Sequence, residues 1–247
     1  TMLHEQTIST LNALKLFGMA KGMGDRMADP KHAELSHAEF VGMLVEDERL
    51  YRENRRLKSL LKNARLRITD AALEDVDYRH PRGLEKSAVR ELSTTRWIEA
   101  RRNVLITGPT GIGKSYLSCA LGNLAARGGF TVLYHRAPRL FELLAQARGD
   151  GSHLRLIERL GKAQMLIVDD FLITPLSAQE RKDFLEIVED RYRAGSTVVT
   201  SQCPIKEWHG AIGDPTLADA ILDRLVHNAY KFALRGETIR REDKGKP

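Results

Sequence analysis

The sequence predicts an α/β fold: a parallel sheet covered by helices on both faces, preceded by a small all-helical domain. Three observations carry this. The apolar run Asn103-Val104-Leu105-Ile106-Thr107 opens on Gly108-Pro109-Thr110-Gly111-Ile112-Gly113-Lys114-Ser115, and Tyr116-Leu117-Ser118-Cys119-Ala120-Leu121 continues from it, which reads as strand, glycine loop and helix. From residue 102 onward, strand-length apolar runs alternate with helix-length segments, the pattern of parallel strands joined by crossover helices. Before residue 70 the apolar spacing is helical.

The 247 residues are 42% hydrophobic and 29% charged, enough for one large domain with a smaller attachment. Lys plus Arg number 39 against 33 Asp plus Glu, a formal charge of +6, so the location of the basic residues matters more than their excess. Cys119 and Cys203 are far apart and lack metal-ligand spacing, which excludes a disulfide framework. No apolar run approaches the about 18 residues of a membrane span, and the first twenty residues do not form a secretion signal. A soluble, cytoplasmic protein without a membrane partner is expected.

Residues 4–28 carry Leu11, Leu14, Phe17 and Met19 at roughly helical spacing, which predicts one amphipathic helix or two short ones; Ala28-Asp29-Pro30 is a break. Ser36-His37-Ala38-Glu39 is a capping box, and a helix is expected from it to about Leu66, with Phe40, Met43, Leu44, Leu50, Leu57, Leu60, Leu61 and Ala64 on its apolar face. Between residues 49 and 67 stand Arg49, Arg52, Arg55, Arg56, Lys58, Lys62, Arg65 and Arg67, with Glu53 as the one acid. Charged faces are usually solvated and balanced by acids three or four residues away. This excess instead predicts contacts to the phosphate backbone of double-stranded DNA, since no aromatic residues interleave to stack on single-stranded bases.

Thr69-Asp70 and His80-Pro81-Arg82-Gly83 are turn signals. The domain boundary is placed near residue 70, giving a helical DNA- or partner-binding domain over 1–69 and a nucleotide domain over 70–247. Short helices around 84–92 and 94–100 lead into the first strand. Strands are expected at 103–107, 130–135, 164–169, 196–201 and 230–234, and helices near 114–127, 138–147, 152–161, 178–193 and 216–227. Ser177-Ala178-Gln179-Glu180 is a second capping box, and Gly195 stands where a helix should stop. About a dozen residues follow the last strand, which leaves no room for a further helical domain there.

The spacing G-x-x-x-x-G-K-S at Gly108 to Ser115, between a strand and a helix, is that of a P-loop. Its glycines let the backbone curl until N–H groups point into one concavity, and the following helix adds its positive end. Lys114 is expected to reach the outer phosphates of ATP, and the Ser115 hydroxyl to ligate Mg²⁺. Met165-Leu166-Ile167-Val168-Asp169-Asp170 is an apolar strand ending in an acidic pair, the Walker B pattern. Asp169 is expected to hold Mg²⁺ opposite Ser115, and Asp170 to orient the attacking water in line with the leaving oxygen. Thr197-Val198-Val199-Thr200-Ser201-Gln202-Cys203-Pro204 is a strand beside these, so Gln202 either reaches that water or the γ-phosphate or only leads into a loop. Arg224, beside Asp223, is either a surface ion pair or a cation offsetting γ-phosphate charge on a neighbouring subunit.

With these residues in hand, the chain resembles the IstB-like branch of the AAA+ ATPases, close to the DnaC helicase loaders. IstB-like proteins are ATP-dependent helpers encoded beside a transposase in bacterial insertion sequences. The matching stretches are Gly108 to Ser115, Leu166 to Asp170, Thr197 to Pro204 with Trp208-His209, Asp223-Arg224-Leu225, Leu234-Arg235-Gly236-Glu237, and the layout of Leu11 to Ala64. The resemblance implies a P-loop AAA+ core whose Walker B and sensor strands flank the P-loop strand, with no C-terminal lid. It implies Lys114, Asp170, Gln202 (sensor 1) and Arg224 (arginine finger in trans) as the catalytic set. It also implies homo-oligomers formed through ATP interfaces on duplex DNA and stimulation of a partner transposase. Two departures stand out: Asp170 occupies a position that is Glu in most AAA+ proteins, which predicts slow turnover, and Leu172 stands near an expected glycine. Arg240 and Arg241 are not assigned the sensor-2 role.

A DnaC-like loader of a replicative helicase is the alternative, distinguished by what the first 70 residues bind. A small-molecule kinase would need an arginine-rich lid and an acceptor pocket, against which the Asp-Asp pair and polar sensor strand argue. A GTPase would need Asn-Lys-x-Asp, which does not occur.

Overall fold

The computed structural model describes residues 2–28 and 35–239. Packing divides the chain into two units, Thr1–Ser59 and Leu60–Pro247.

The first unit holds α1 (Met2–Ala13), α2 (Phe17–Met27) and most of α3 (His37–Ala64). Of the one helix or two short ones expected over residues 4–28, the structure has two. Ser36 begins α3 as a capping box: Glu39 N–H donates to Ser36 Oγ at 3.3 Å, and Ser36 N–H donates to the Glu39 carboxylate at 2.9 Å. The break at Asp29-Pro30 lies outside the described residues. On α3, Leu50 is 44% exposed, against expectation. The neighbouring buried position goes to Glu48, whose carboxylate accepts the N–H groups of Gly18 at 2.7 Å and Met19 at 3.2 Å. An acid there satisfies orphan donors at the start of α2. The division at residue 59 falls inside α3, earlier than the boundary expected near 70, because Leu60, Leu61, Ala64 and Leu66 pack into the core of the second unit.

That unit contains α4 (Lys86–Leu92), α5 (Arg96–Glu99), β1 (Asn103–Thr107), α6 (Lys114–Arg127), β2 (Val132–Arg136), α7 (Ala137–Gly149), α8 (His153–Lys162), β3 (Met165–Phe171), α9 (Ala178–Arg191), β4 (Ser196–Ser201), α10 (Trp208–Ile212), α11 (Pro215–Val226) and β5 (Ala229–Ala233). The strands are all parallel, in the order β2-β3-β4-β1-β5. β1 and β4 are buried at every residue: β1 is apolar through Val104-Leu105-Ile106, whereas β4 reads Ser196-Thr197-Val198-Val199-Thr200-Ser201 and buries its four hydroxyls in hydrogen bonds to Trp97, Arg191, Asp169 and Phe171. Successive side chains still point to opposite faces. Val104, Ile106, Ile167 and Val198 join one core with α6, while Leu105, Leu166, Val168 and Val199 join the other with α7, α8, α9 and α11. Trp208 of α10, an element the periodicity did not announce, is fully buried against Phe171.

Two local details differ from expectation. α9 ends at Arg191, and the left-handed residue after it is Arg193 (φ 57°), not Gly195. Gly195 is needed for close approach: a Cβ there would sit 2.9 Å from both the Ala163 carbonyl oxygen and the Arg191 guanidinium. β3 also runs two residues past its expected end, through a register shift between Val168 and Phe171 that inserts one extra residue opposite β4. Among the described residues, no helix is long and apolar enough to cross a membrane.

Candidate functional site

The sheet delivers its chemistry at the carboxyl ends of β1, β3 and β4, where an open parallel sheet leaves a crevice. A cavity of about 550 Å³ lies there, lined by Thr110, Gly111, Gly113, Lys114, Ser115, Asp170 and Gln202 together with Arg67, Ile68, Tyr116, Arg136, Ile173 and Ile239. The loop is shaped by its glycines. Gly113, the N-cap of α6, has φ 95°, and a Cβ on it would stand 2.5 Å from the Arg82 guanidinium. Arg82 is buried and donates to the Ile112 carbonyl at 3.0 Å, fixing the loop from behind. α6 begins at Lys114, so its first N–H groups have no partner within the helix and face the cavity side of the loop.

Gly108, Pro109 and Ile112 do not line the cavity. Gly108 and Pro109 present carbonyls that accept from Lys114 Nζ at 2.7 and 2.8 Å, and the Ile112 side chain is core. From the other side, Ile239 N–H donates to the Gly111 carbonyl at 3.0 Å, so the segment after β5 lies along the loop. Arg240 and Arg241 lie outside the described residues.

The acidic pair has two different environments. Asp169 is fully buried and accepts from Ser115 Oγ at 3.0 Å, Thr200 Oγ1 at 2.5 Å and the Tyr134 hydroxyl at 2.6 Å. Burial and the Asp169 carboxylate push the Tyr134 phenol far above its ordinary range, so it remains a donor. Asp170 takes the left-handed conformation (φ 60°), as does Leu172 (φ 56°), the position where a glycine was expected. The extra residue in β3 turns Asp170 toward the cavity, and there Arg136 binds one of its oxygens through both Nε and Nη2 at 2.9 Å. Ser115 and Asp169, touching through hard oxygen atoms, fit a Mg²⁺ site, and the glycine-shaped loop beside Lys114 fits a polyphosphate.

Sequence reasoning missed Tyr134, Thr200, Arg136 and Arg82. Thr200 lies in the Thr197–Pro204 stretch and Arg82 in the turn signal at 80–83, but neither is assigned a role there; each of the four is placed by the sheet register or by a return of the chain. Thr200 is adjacent because β4 pairs with β3, and Tyr134 and Arg136 because β2 does.

Arg224 stands elsewhere. Its guanidinium pairs with Glu189 at 2.9 Å, not with the adjacent Asp223, and its backbone carbonyl accepts from Asn103 at the start of β1, the opposite edge of the sheet. The basic stretch is also more balanced than its composition implied. Arg49 bridges Glu46 and Glu53, and Arg52 binds Glu48, because Glu46 and Glu48 stand just ahead of the stretch and within reach on the same helix. Among the described residues no ion pair engages Arg55, Lys58 or Lys62, which follow at i, i+3 and i+7 on one helix face. Arg56 has a partner, Arg65 follows the end of α3, and Arg67 lies 3.9 Å from Asp169.

Comparison with known proteins places the chain in a family. The family described as IstB-like ATP binding protein matches residues 9–247. A Sinorhizobium fredii protein named as an insertion-sequence ATP-binding protein is 49% identical over 245 residues, 99% of this chain and 100% of its own. The protein named as the IS21 ATP-binding protein of Pseudomonas aeruginosa is 32% identical over 244 residues, 99% of this chain and 91% of its own. Among solved structures, that of DnaI superposes with a TM-score of 0.56 at 21% identity, covering 72% of this chain and 93% of that one, a likeness of fold. The chain therefore belongs to the IstB-like ATP-binding family, built on the AAA+ fold.

Proposed function

We infer that the chain is a Mg²⁺-dependent ATPase that assembles through its nucleotide sites on duplex DNA and assists the transposase of an insertion sequence. The observation that carries this reading is the gathering of Lys114, Ser115, Asp169, Asp170 and Gln202 at one edge of the sheet, with Arg224 at the other. β1 has five residues, about 17 Å at the ~3.3 Å rise of a parallel strand, more than an arginine side chain spans. Arg224 can therefore serve a triphosphate only on a neighbouring copy.

Ser115 and Asp169 would hold the metal ion, which when bound neutralises charge on the β- and γ-phosphates. Lys114 holds the outer phosphates. Asp170 orients the attacking water after its carboxylate leaves Arg136, and Gln202 lines the same cavity beside it. Asp170→Asn is expected to leave ATP affinity within about twofold and to lower turnover by about 10²–10⁴, the range for loss of a positioned proton acceptor. Phosphate release and nucleotide titration check it; turnover at the wild-type rate would remove Asp170 from the role.

On α3, the exposed stripe of Arg55, Lys58 and Lys62 is suited to phosphates of a duplex. Charge removal at Arg55 and Lys58 together is expected to make the slope of log affinity against log salt shallower by about 2, near 0.9 per lost contact. Nucleotide affinity should not move. An unchanged slope would assign those residues to solvent.

The whole reading is tested by light scattering and gel shift on duplex DNA, with and without a slowly hydrolysed ATP analogue. Growth in mass and in DNA affinity with the analogue is expected. If neither changes, assembly through the nucleotide sites is wrong.

A further inference from the structure

At the amino-terminal edge of the sheet lies a second cavity, of about 430 Å³. It is walled by the starts of β1 and β4 and by the ends of α9 and α11. Arg101, Arg191, Arg193 and Arg224 line it, and among the described residues no carboxylate does. The guanidinium groups of Arg101, Arg193 and Arg224 beside one cavity, without an acid in its wall among the described residues, suit an anion of high charge.

The four arginines are not equivalent. Arg191 is fully buried and gives its donors to the carbonyls of Leu160, Ala163 and Ser196 and to Thr197 Oγ1, so it is scaffold. Arg101 donates to the Arg193 carbonyl at 2.6 Å. Both residues are in the left-handed conformation (φ 54° and 57°), which arginine seldom adopts, and both side chains are exposed. Arg224 is held by Glu189 at 2.9 Å and by the Ala220 carbonyl of its own helix at 3.0 Å. Glu189 stands outside the cavity wall and is 47% exposed, so it can be exchanged for another anion without disturbing the core.

We propose that Glu189 holds Arg224 within its own protomer until the terminal phosphates of a neighbouring copy's nucleoside triphosphate displace it, with Arg101 and Arg193 adding to the pull of those phosphates. The proposal deepens the reading above and rests on it. A carboxylate and a phosphate offer the guanidinium the same paired-oxygen geometry, and the phosphate carries more charge. Arg101 and Arg193 reinforce the phosphate but have no contact with Glu189 among the described residues. Glu189 thus competes with assembly, and a copy arriving without a triphosphate does not displace it.

The test follows ATP turnover per protomer of the full chain against protein concentration, beside the affinity of a fluorescent ATP analogue. Wild-type turnover is expected to rise with concentration to a plateau. Glu189→Gln should lower the midpoint concentration about twofold to fivefold, the range for releasing a half-exposed ion pair. Arg193→Ala should raise the midpoint. Both should leave analogue affinity at low protein concentration unchanged, and Arg224→Ala should show no concentration-dependent turnover. A Glu189→Gln midpoint that stays or rises, with Arg224→Ala inactive, overturns the competing role of Glu189 and leaves the trans site standing. An unmoved Arg193→Ala midpoint removes that residue from the pocket. Wild-type turnover by Arg224→Ala overturns the underlying reading itself.

Discussion

Replacing Lys114 by alanine is expected to weaken ATP binding about tenfold to a hundredfold and to remove turnover. The side chain is 6% exposed, so its ammonium works in a poorly solvated setting. Its Nζ donates to the Gly108 carbonyl at 2.7 Å and to that of Pro109 at 2.8 Å. It therefore has two jobs. It closes the loop on itself, and it presents a charge where the outer phosphates lie against the start of α6. A hydrogen bond to a charged group is worth about 1.5–3 kcal/mol, which sets the expected loss of affinity. The loss in turnover should exceed it, because charge that grows toward the transition state feels a fixed cation most strongly. The loop should keep its shape, since Gly111 and Gly113 hold positive φ (82° and 95°) and Arg82 braces Ile112 independently. Fluorescent-nucleotide titration and phosphate release measure the two effects separately. Binding at wild-type strength would reduce Lys114 to a strut within the loop.

The same residues show what a sequence can and cannot carry. The P-loop was legible because its conformation is written in residue types: only glycine takes the backbone at 108, 111 and 113 without strain. The sheet was legible because short apolar runs such as Val104-Leu105-Ile106 and Met165 to Val168 are strand-length and separated by helix-length segments. The surroundings of Asp169 were not. Ser115, Tyr134 and Thr200 come from three separate segments, and an isolated Tyr or Thr carries no sign of its partner. Leu172 marks the reverse case. A missing glycine drew attention to the turn after β3, and the backbone there is left-handed all the same, with Leu172 taking the strain. The basic stretch was overread at Arg49 and Arg52 because acids were counted only within it, while Glu46 and Glu48 stood just ahead.

The largest loss of stability is expected at Arg191. Among the described residues it has no acidic partner, yet it is 1% exposed. Burial pushes its pKa down to about 10, still far above neutrality, so the charge is kept inside. Backbone oxygens surround it instead: Leu160 at 2.6 Å, Ala163 at 2.7 Å and Ser196 at 2.5 Å, with Thr197 Oγ1 at 3.0 Å. These groups belong to the end of α8, the approach to β3 and the start of β4. One side chain thus ties together the segments that enter the sheet. Arg191→Met keeps most of the volume but leaves three carbonyls facing an apolar chain. At about 1–3 kcal/mol for each unsatisfied buried group, less what is recovered by no longer burying a charge, a net loss of about 3–5 kcal/mol is expected. Arg191→Lys should fall between, because one ammonium cannot span acceptors arranged around a planar fork. Urea unfolding should show the midpoint falling in the order wild type, Lys, Met, with the slope unchanged. Gly195 offers an independent check, since a Cβ there would press on this guanidinium and on the Ala163 carbonyl. Gly195→Ala should therefore destabilise the wild type more than it does Arg191→Met. Equal effects in the two backgrounds would mean that the guanidinium is not what the chain is packed around at this edge.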